Sequence, residues 1–291
     1  MSARTQPPLR LGTRGSPLAL AQASLVAQAI AEPVELVTLT PSGDREGGPD
    51  SDKHRWVDRI EDALAAGEID LAVHSAKDVP GELAPGLELA GSPQRFEARD
   101  ALCGARSLAD LPRGAKVGTS SLRRSAQLLA LRDDIDVVPL HGNIDTRLRR
   151  LSEGELDAIV LASAGLERLG RPPGVPLDEL VPAVGQGALA IEARSGEARV
   201  AAAIEALRDP ATERELRAER ELARALGATC HTPIGAHART LPEGELELVA
   251  FVGRADGSAW VRDALVGGDP VELAGELAAR LCNVGALELL G

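Results

Sequence analysis

The chain lacks a cysteine framework. Its three cysteines, Cys103, Cys230 and Cys282, are odd in number, far apart and without paired metal-ligand spacing, so neither a disulfide scaffold nor a cysteine-based metal site is expected. A reducing compartment fits. The sequence also has no charged leader followed by an apolar segment, and no apolar run long enough for a bilayer. The expectation is a cytoplasmic protein that is neither exported nor membrane-bound. Positive charge is in deficit as well. Lys and Arg number 32 against 44 Asp and Glu, a formal net charge of −12, which argues against nucleic acid as a partner. The same sum does not exclude a small anionic ligand. Screening confines the general field to about 8 to 10 Å at physiological salt, so a local arginine cluster can still hold carboxylates. No phosphate-loop glycine pattern is present.

What is present reads as α/β. At 291 residues and 44% hydrophobic content the chain is long enough for two or three domains with real cores. One phrase occurs twice: Gly67-Glu68-Ile69-Asp70-Leu71-Ala72-Val73 is echoed by Gly154-Glu155-Leu156-Asp157-Ala158-Ile159-Val160, and Leu11-Gly12-Thr13 by Val117-Gly118-Thr119. Short apolar strands alternate with helical patterns in both copies, which predicts two related βαβ lobes facing each other across a cleft. Residues 1–98 with 190–210 form the expected first lobe, 99–189 the second, and 211–291 a small α+β C-terminal domain. In that last domain a charged amphipathic helix over 211–226 precedes a hairpin around Arg254-Ala255-Asp256-Gly257 and a helix from about Pro270 to Cys282. The acidic, glycine-rich segment Pro41 to Lys53 has no periodicity and reads either as a loop over the cleft or as unstructured surface.

Three strand-to-helix junctions place arginine beside capping residues. In Thr13-Arg14-Gly15-Ser16-Pro17, Ser16 is a good N-cap and Pro17 suits the first helical position. Gly118-Thr119-Ser120-Ser121-Leu122-Arg123-Arg124 repeats the theme, and Gly142-Asn143-Ile144-Asp145-Thr146-Arg147 gives it a third time. Helix amino ends present free N–H groups and partial positive charge, and arginine adds a planar fork matched to carboxylate. One such junction is weak evidence. Three of them point to a ligand with several carboxylates.

The run Leu71 to Val73 is apolar and ends on Ser75, Lys77 and Asp78, at the carboxyl end of a strand where open α/β sheets bind ligands. Solvated loop charges are the default for an isolated pair of this kind; the neighbouring arginine junctions favour a ligand site instead. Among the cysteines, Cys230 alone lies in a loop with a histidine beside it, Thr229-Cys230-His231-Thr232. A lone cysteine is more often a small packing residue than a nucleophile, the reading kept for Cys103 and Cys282 in their apolar stretches; the loop and His231 leave a thiolate role open for Cys230 beside that packing reading.

Together these segments resemble the porphobilinogen deaminase (hydroxymethylbilane synthase) family. The resemblance runs over nearly the full length, through Thr13 to Leu20, His74 to Pro80, Gly118 to Arg124, Gly142 to Leu148, Pro182 to Ala188, and Cys230 to Gly235. It implies two lobes like those of periplasmic binding proteins plus the C-terminal domain, and a monomeric transferase of haem-pathway tetrapyrrole synthesis. Such enzymes join four porphobilinogen molecules head to tail, losing ammonia each time, into linear hydroxymethylbilane. A dipyrromethane cofactor, bound by a thioether to the cysteine matching Cys230, holds the growing chain, and no metal is implied. By match, Ser75, Lys77, Thr119, Ser121, Arg123 and Arg124 hold the cofactor arms. Arg14, Ser16, Arg147, Arg168, Lys53 and His141 face the incoming substrate, and Asp78 is the catalytic carboxylate.

Two departures from the family pattern stand out. His141 occupies a position where the family usually has arginine, and imidazole is cationic only when protonated, ordinarily below about pH 6.5. The loop that usually reads Gly-Gly-Lys-Gly-Leu-Phe is here Asp50-Ser51-Asp52-Lys53-His54-Arg55-Trp56, so its flexible glycines are gone and Trp56 stands either for stacking or for packing. The rival readings are a cytoplasmic, non-catalytic two-lobed protein that binds a polycarboxylate, and another anion-handling transferase that uses the helix ends for phosphate. The missing leader and the absence of a basic recognition helix count against the first, and the missing phosphate loop against the second.

Overall fold

The computed structural model describes residues 6–42, 54–229 and 232–290. The chain opens with β1 (Leu9–Arg14), α1 (Pro17–Ala29), β2 (Val34–Leu39), α2 (His54–Ala65), β3 (Leu71–Ser75) and β4 (Leu87–Gly91). It continues through β5 (Asp100–Cys103), β6 (Lys116–Gly118), α3 (Leu122–Leu131), β7 (Asp136–Val138), α4 (Ile144–Ser152), β8 (Ala158–Ala162), α5 (Ser163–Arg168) and β9 (Val175–Leu177). Then come β10 (Leu189–Arg194), α6 (Ala198–Ile204), α7 (Pro210–Ala225), β11 (Ile234–Thr240), β12 (Leu246–Gly253), β13 (Trp260–Gly267) and α8 (Pro270–Asn283). Contacts divide the chain into two compact units, Met1–Arg95 with Ala188–Glu213, and Phe96–Gly187 with Arg214–Gly291.

The first unit is built on a five-stranded sheet in the order β2-β1-β3-β10-β4. Strands β1, β2 and β3 run parallel, while β10 is antiparallel to β3 and β4. Period-two alternation divides the strand residues between two cores. Leu71 and Val73 join Leu9, Leu11, Val26 and Ile191 on one face, and Ala72 joins Ile60, Leu64 and Ile69 on the other. Burial on both faces explains why β3 reads as an unbroken apolar run.

The second unit repeats the plan with the order β7-β6-β8-β5-β9, again three parallel strands followed by an antiparallel one. The duplicated phrase in the sequence is thus the turn leading into β3 and into β8. The reversed fourth strand of each sheet is not legible as such, because an apolar strand looks the same in either direction and the path of the chain alone decides. The same unit carries the antiparallel sheet β11-β12-β13, which includes the expected hairpin between β12 and β13. Helices α7 and α8 cover it through Leu222, Leu273, Leu277 and Leu281, with Leu226 just beyond α7. Asp269 caps α8 by accepting from the N–H groups of Val271 and Glu272, with Pro270 at the first helical position. The fold class is therefore mixed α/β with a small α+β part, as the sequence predicts.

Candidate active site

In the first unit the loop after β1 and the loop after β3 converge at the carboxyl ends of parallel strands. Ser16 caps α1 by accepting from the Ala19 N–H at 3.3 Å, with Pro17 at the first position. A pocket there is lined by Arg14, Ser16, Gln22, His74, Ser75 and Asp78, among others. Gln22, buried on α1, donates its amide N–H to Ser75 Oγ at 2.7 Å, so the serine's orientation is set from below the pocket. Beyond Ser75 a 3-10 turn over Ala76–Asp78 presents Lys77 and Asp78 half-exposed. The turn is pinned at its base by the Ala76 N–H donating to the Ala188 carbonyl at 3.1 Å. Beneath it lies a buried pair: His74 Nε2 stands 2.9 Å from Glu192 Oε2, both side chains almost wholly excluded from solvent.

In the second unit the other two arginine junctions also begin capped helices. Ser121 accepts from the Arg124 N–H at the start of α3, and Asn143 accepts from the Thr146 N–H at 2.8 Å at the start of α4. Thr119 is buried at the end of β6 and accepts from the Ser121 N–H. Nearby, Ser120 Oγ stands 3.4 Å from His141 Nδ1 and accepts from the Leu140 N–H. Arg147 is held on the Gly142 carbonyl at 2.8 Å.

Arg123 and Arg124 are buried, at 4% and 5% exposure, and share one carboxylate. Asp100 Oδ2 accepts from Arg123 at 2.8 Å, and Oδ1 accepts from Arg124 Nε at 2.8 Å and from the Gln186 amide at 2.9 Å. Burial alone would push the Asp100 carboxyl up, but the charges of Arg123 and Arg124, with their hydrogen bonds and that of Gln186, hold it well below the usual carboxylate range. Two guanidinium groups against one carboxylate leave a net buried charge of about +1. Arg168, at the end of α5, adds another. It donates to the Gly187 carbonyl at 2.6 Å and lies over the Phe96 ring at 4.7 Å. Its buried Nε has no hydrogen-bond partner among the described residues. Burial pulls this guanidinium down to about 10, only weakly offset by Glu167.

Glycine matters at one point of this framework. Gly187 has φ +88°, and a Cβ there would stand 2.6 Å from the Phe96 carbonyl oxygen. A wider surface hollow lined by Arg106, Asp110 and Asp157 lies at the amino ends of β6 and β8, away from these cations.

Two predicted site residues, Lys53 and Cys230, lie outside the described residues, as do His231 and most of the Pro41 to Lys53 segment; Trp56 falls in the first turn of α2. Sequence reasoning missed Asp100, Gln186, Gln22 and the His74–Glu192 pair as parts of the site. Asp100 carries one usable signal, a charge heading the apolar strand Ala101-Leu102-Cys103. In that strand Cys103 is buried and its thiol is pushed up by burial, as expected of a packing residue. Among the described residues, no helix is long and apolar enough to cross a membrane, and no three His, Cys, Asp or Glu side chains cluster as metal ligands would.

Sheets whose strand ends gather capped helix termini and incompletely neutralised arginines define an anion-binding α/β protein. Residues 9–202 match the family described as porphobilinogen deaminase, dipyromethane cofactor binding domain, and residues 214–283 the porphobilinogen deaminase C-terminal domain. The chain is 45% identical to a porphobilinogen deaminase of Thiobacillus denitrificans over 97% of both chains. It is 47% identical to that of Rubrobacter xylanophilus over 97% of this chain and 96% of the other. A solved nutrient binding protein from Burkholderia cenocepacia is 16% identical with a TM-score of 0.44, covering 74% of this chain and 94% of that one; the fold is read from the strand order and not from this distant likeness. The chain belongs to the porphobilinogen deaminase family. It is accordingly an enzyme, a transferase of tetrapyrrole synthesis with a dipyrromethane cofactor, and a non-catalytic binding protein is not favoured.

Proposed function

We propose that the chain joins four porphobilinogen molecules into linear hydroxymethylbilane on a dipyrromethane held by a thioether to Cys230. Ser75 and Lys77 of the first unit, with Thr119, Ser121, Arg123 and Arg124 of the second, clasp the cofactor's carboxylate arms. Arg14, Ser16, Lys53, His141, Arg147 and Arg168 grip incoming substrate and the growing product. The observation that carries this reading is the incomplete neutralisation of arginine withdrawn from water: among the described residues, Arg123 and Arg124 share the one carboxylate of Asp100, and Arg168 Nε is buried without a partner. Buried charge is ordinarily paired, so a site left net positive fits a ligand rich in carboxylates.

When bound, dipyrromethane supplies the pyrrole carbon to which substrate rings are added. The chain's own contribution centres on Asp78. Loss of ammonia from porphobilinogen leaves an electron-poor ring, and coupling puts positive charge on pyrrole nitrogen. Each condensation also releases one proton from the attacked ring carbon. A carboxylate facing the ring N–H stabilises the charge as it develops and accepts that proton. Gln22, by fixing Ser75, and the Ala76–Ala188 hydrogen bond keep the turn that bears Asp78 in place.

We further read 1–98 with 190–210, 99–189 and 211–291 as three domains of a cytoplasmic monomer that needs no metal, nucleic acid or membrane partner. Intact mass of the purified protein, before and after porphobilinogen, tests the central reading. The expected result is a mass above that of the polypeptide by one dipyrromethane, lost in Cys230→Ala. A chain that turns over substrate at the bare polypeptide mass would overturn it.

A further inference from the structure

Asp100 is the first residue of β5 and is wholly buried. Its two oxygens accept four hydrogen bonds, two from Arg123, one from Arg124 Nε and one from Gln186. The guanidinium groups direct further N–H groups to the carbonyls of Val181 and Val160, which are dipoles and carry no charge. The Arg123 and Arg124 charges act against each other, so the carboxylate between them is what makes their neighbouring burial tolerable. It cancels one charge and leaves one. Gln186 also donates to the Ala98 carbonyl at 2.7 Å, tying the same carboxylate to the loop that bears Gly187, on which Arg168 is held.

We propose that Asp100 is a positioning residue of the anion site: by orienting Arg123 and Arg124 and neutralising one of them, it sets the cluster to accept a single ligand carboxylate. This rests on the reading that those two arginines hold cofactor arms. With its charge removed, the arginines repel and turn away from their shared pose. With its charge displaced by one methylene, the pose shifts while the charge balance stays.

The test compares full-length Asp100→Glu, Asp100→Ala, Arg123→Lys and Arg124→Lys proteins, scoring the fraction carrying dipyrromethane by intact mass together with thermal midpoint. Asp100→Glu is expected to keep a midpoint close to that of the unmodified protein while the loaded fraction falls about tenfold or more, the loss of one charge-assisted hydrogen bond. Asp100→Ala leaves room for a small carboxylate. Formate should raise its loaded fraction, and chloride at matched ionic strength should not, which ties the effect to a carboxylate and not to ionic strength.

Normal loading in Asp100→Glu overturns the proposal, as does equal rescue by formate and chloride. If Asp100→Glu does not fold at all, Asp100 is a structural ion-pair partner and the proposal is likewise overturned. If Asp100→Ala is insoluble, Asp100→Glu decides alone. Normal loading in both lysine variants sinks the parent reading. Loss there with normal loading in the Asp100 variants sinks this inference and spares the parent.

Discussion

Replacing Arg168 by methionine should leave the fold nearly untouched and remove most of the activity, a combination that separates a ligand residue from a structural one. The folded protein holds this guanidinium largely out of water, and burial pulls it down to about 10. At 1.36 kcal/mol per pKa unit that represents about 3 kcal/mol of lost charge solvation, which methionine would recover. Against this, the variant forfeits the bond to the Gly187 carbonyl, about 1.5 to 3 kcal/mol for a charged donor, and the contact over Phe96, about 0.5 to 1 kcal/mol. Methionine keeps part of the latter through its sulfur. The opposing contributions cancel to within about 1 kcal/mol, or a few degrees in thermal midpoint for a protein of this size. For catalysis nothing compensates. Losing a paired, charge-assisted contact to a substrate carboxylate costs about 3 kcal/mol, roughly a hundredfold in kcat/KM. Urea unfolding and steady-state kinetics with porphobilinogen measure both sides. The reasoning is refuted if the variant unfolds at much lower urea while its folded fraction turns over substrate normally, because Arg168 would then be holding Gly187 and Phe96 and nothing else.

Asp78→Asn should preserve the thermal midpoint and lower kcat by about 10² to 10⁴, measured as porphobilinogen consumed per loaded molecule; near-normal turnover would remove Asp78 from the chemistry. Acid should weaken the second unit through Asp100. Its carboxyl is held below the usual range when folded, so its contribution is complete above the unfolded value near 3.9 and is lost as pH falls toward the folded one. Urea midpoints taken between about pH 5 and 2 should fall in the unmodified protein, and fall less steeply in Asp100→Asn, which starts about 3 to 5 kcal/mol lower because it leaves buried guanidinium unpaired. Gly187→Ala should destabilise by more than about 3 kcal/mol, since a positive φ adds its strain to a backbone clash. Gly154→Ala, at φ +75° with open space around it, should cost about 1 to 2 kcal/mol in the same assay.

The parts of this fold legible from sequence are those fixed by neighbours along the chain. Ser16 caps its helix as read, because an N-cap is decided within three residues, and the two junctions that repeat its theme are capped as well, by Ser121 and Asn143. The β12–β13 hairpin and the strand β3 are local in the same sense. Asp100 was legible only as a charge heading an apolar strand: its partners lie 23, 24 and 86 residues away, and nothing near it in sequence says that two arginines will close on it. Glu192 is similar. It interrupts the apolar run Leu189-Ala190-Ile191, and only the antiparallel register of β10 against β3, with Ala190 opposite His74 and Glu192 opposite Ala72, puts it diagonally across from the imidazole. Residue types announce the ligand chemistry, but long-range register chooses which charges neutralise one another.

That choice resolves the conflict between a net charge of −12 and an anionic ligand. Several arginines elsewhere in the fold are matched to carboxylates: Arg10 to Asp70, Arg99 to Glu97 and Asp178, Arg149 to Glu153, Arg208 to Glu213, Arg239 to Glu247. Such pairs are partly solvated and contribute about 1 kcal/mol or less each, so their main electrostatic effect is mutual cancellation. Acid exposed at the surface is solvated and screened beyond about 8 to 10 Å. At the strand ends of the second unit the matching stops, with Arg123 and Arg124 on a single carboxylate and Arg168 on a carbonyl. Arg123 and Arg124 are buried and Arg168 is partly so, and where water is excluded screening is weakest and an unmatched cation attracts a carboxylate most strongly. An acidic protein can therefore collect a polycarboxylate without a basic surface where incompletely paired guanidinium groups are withdrawn from water.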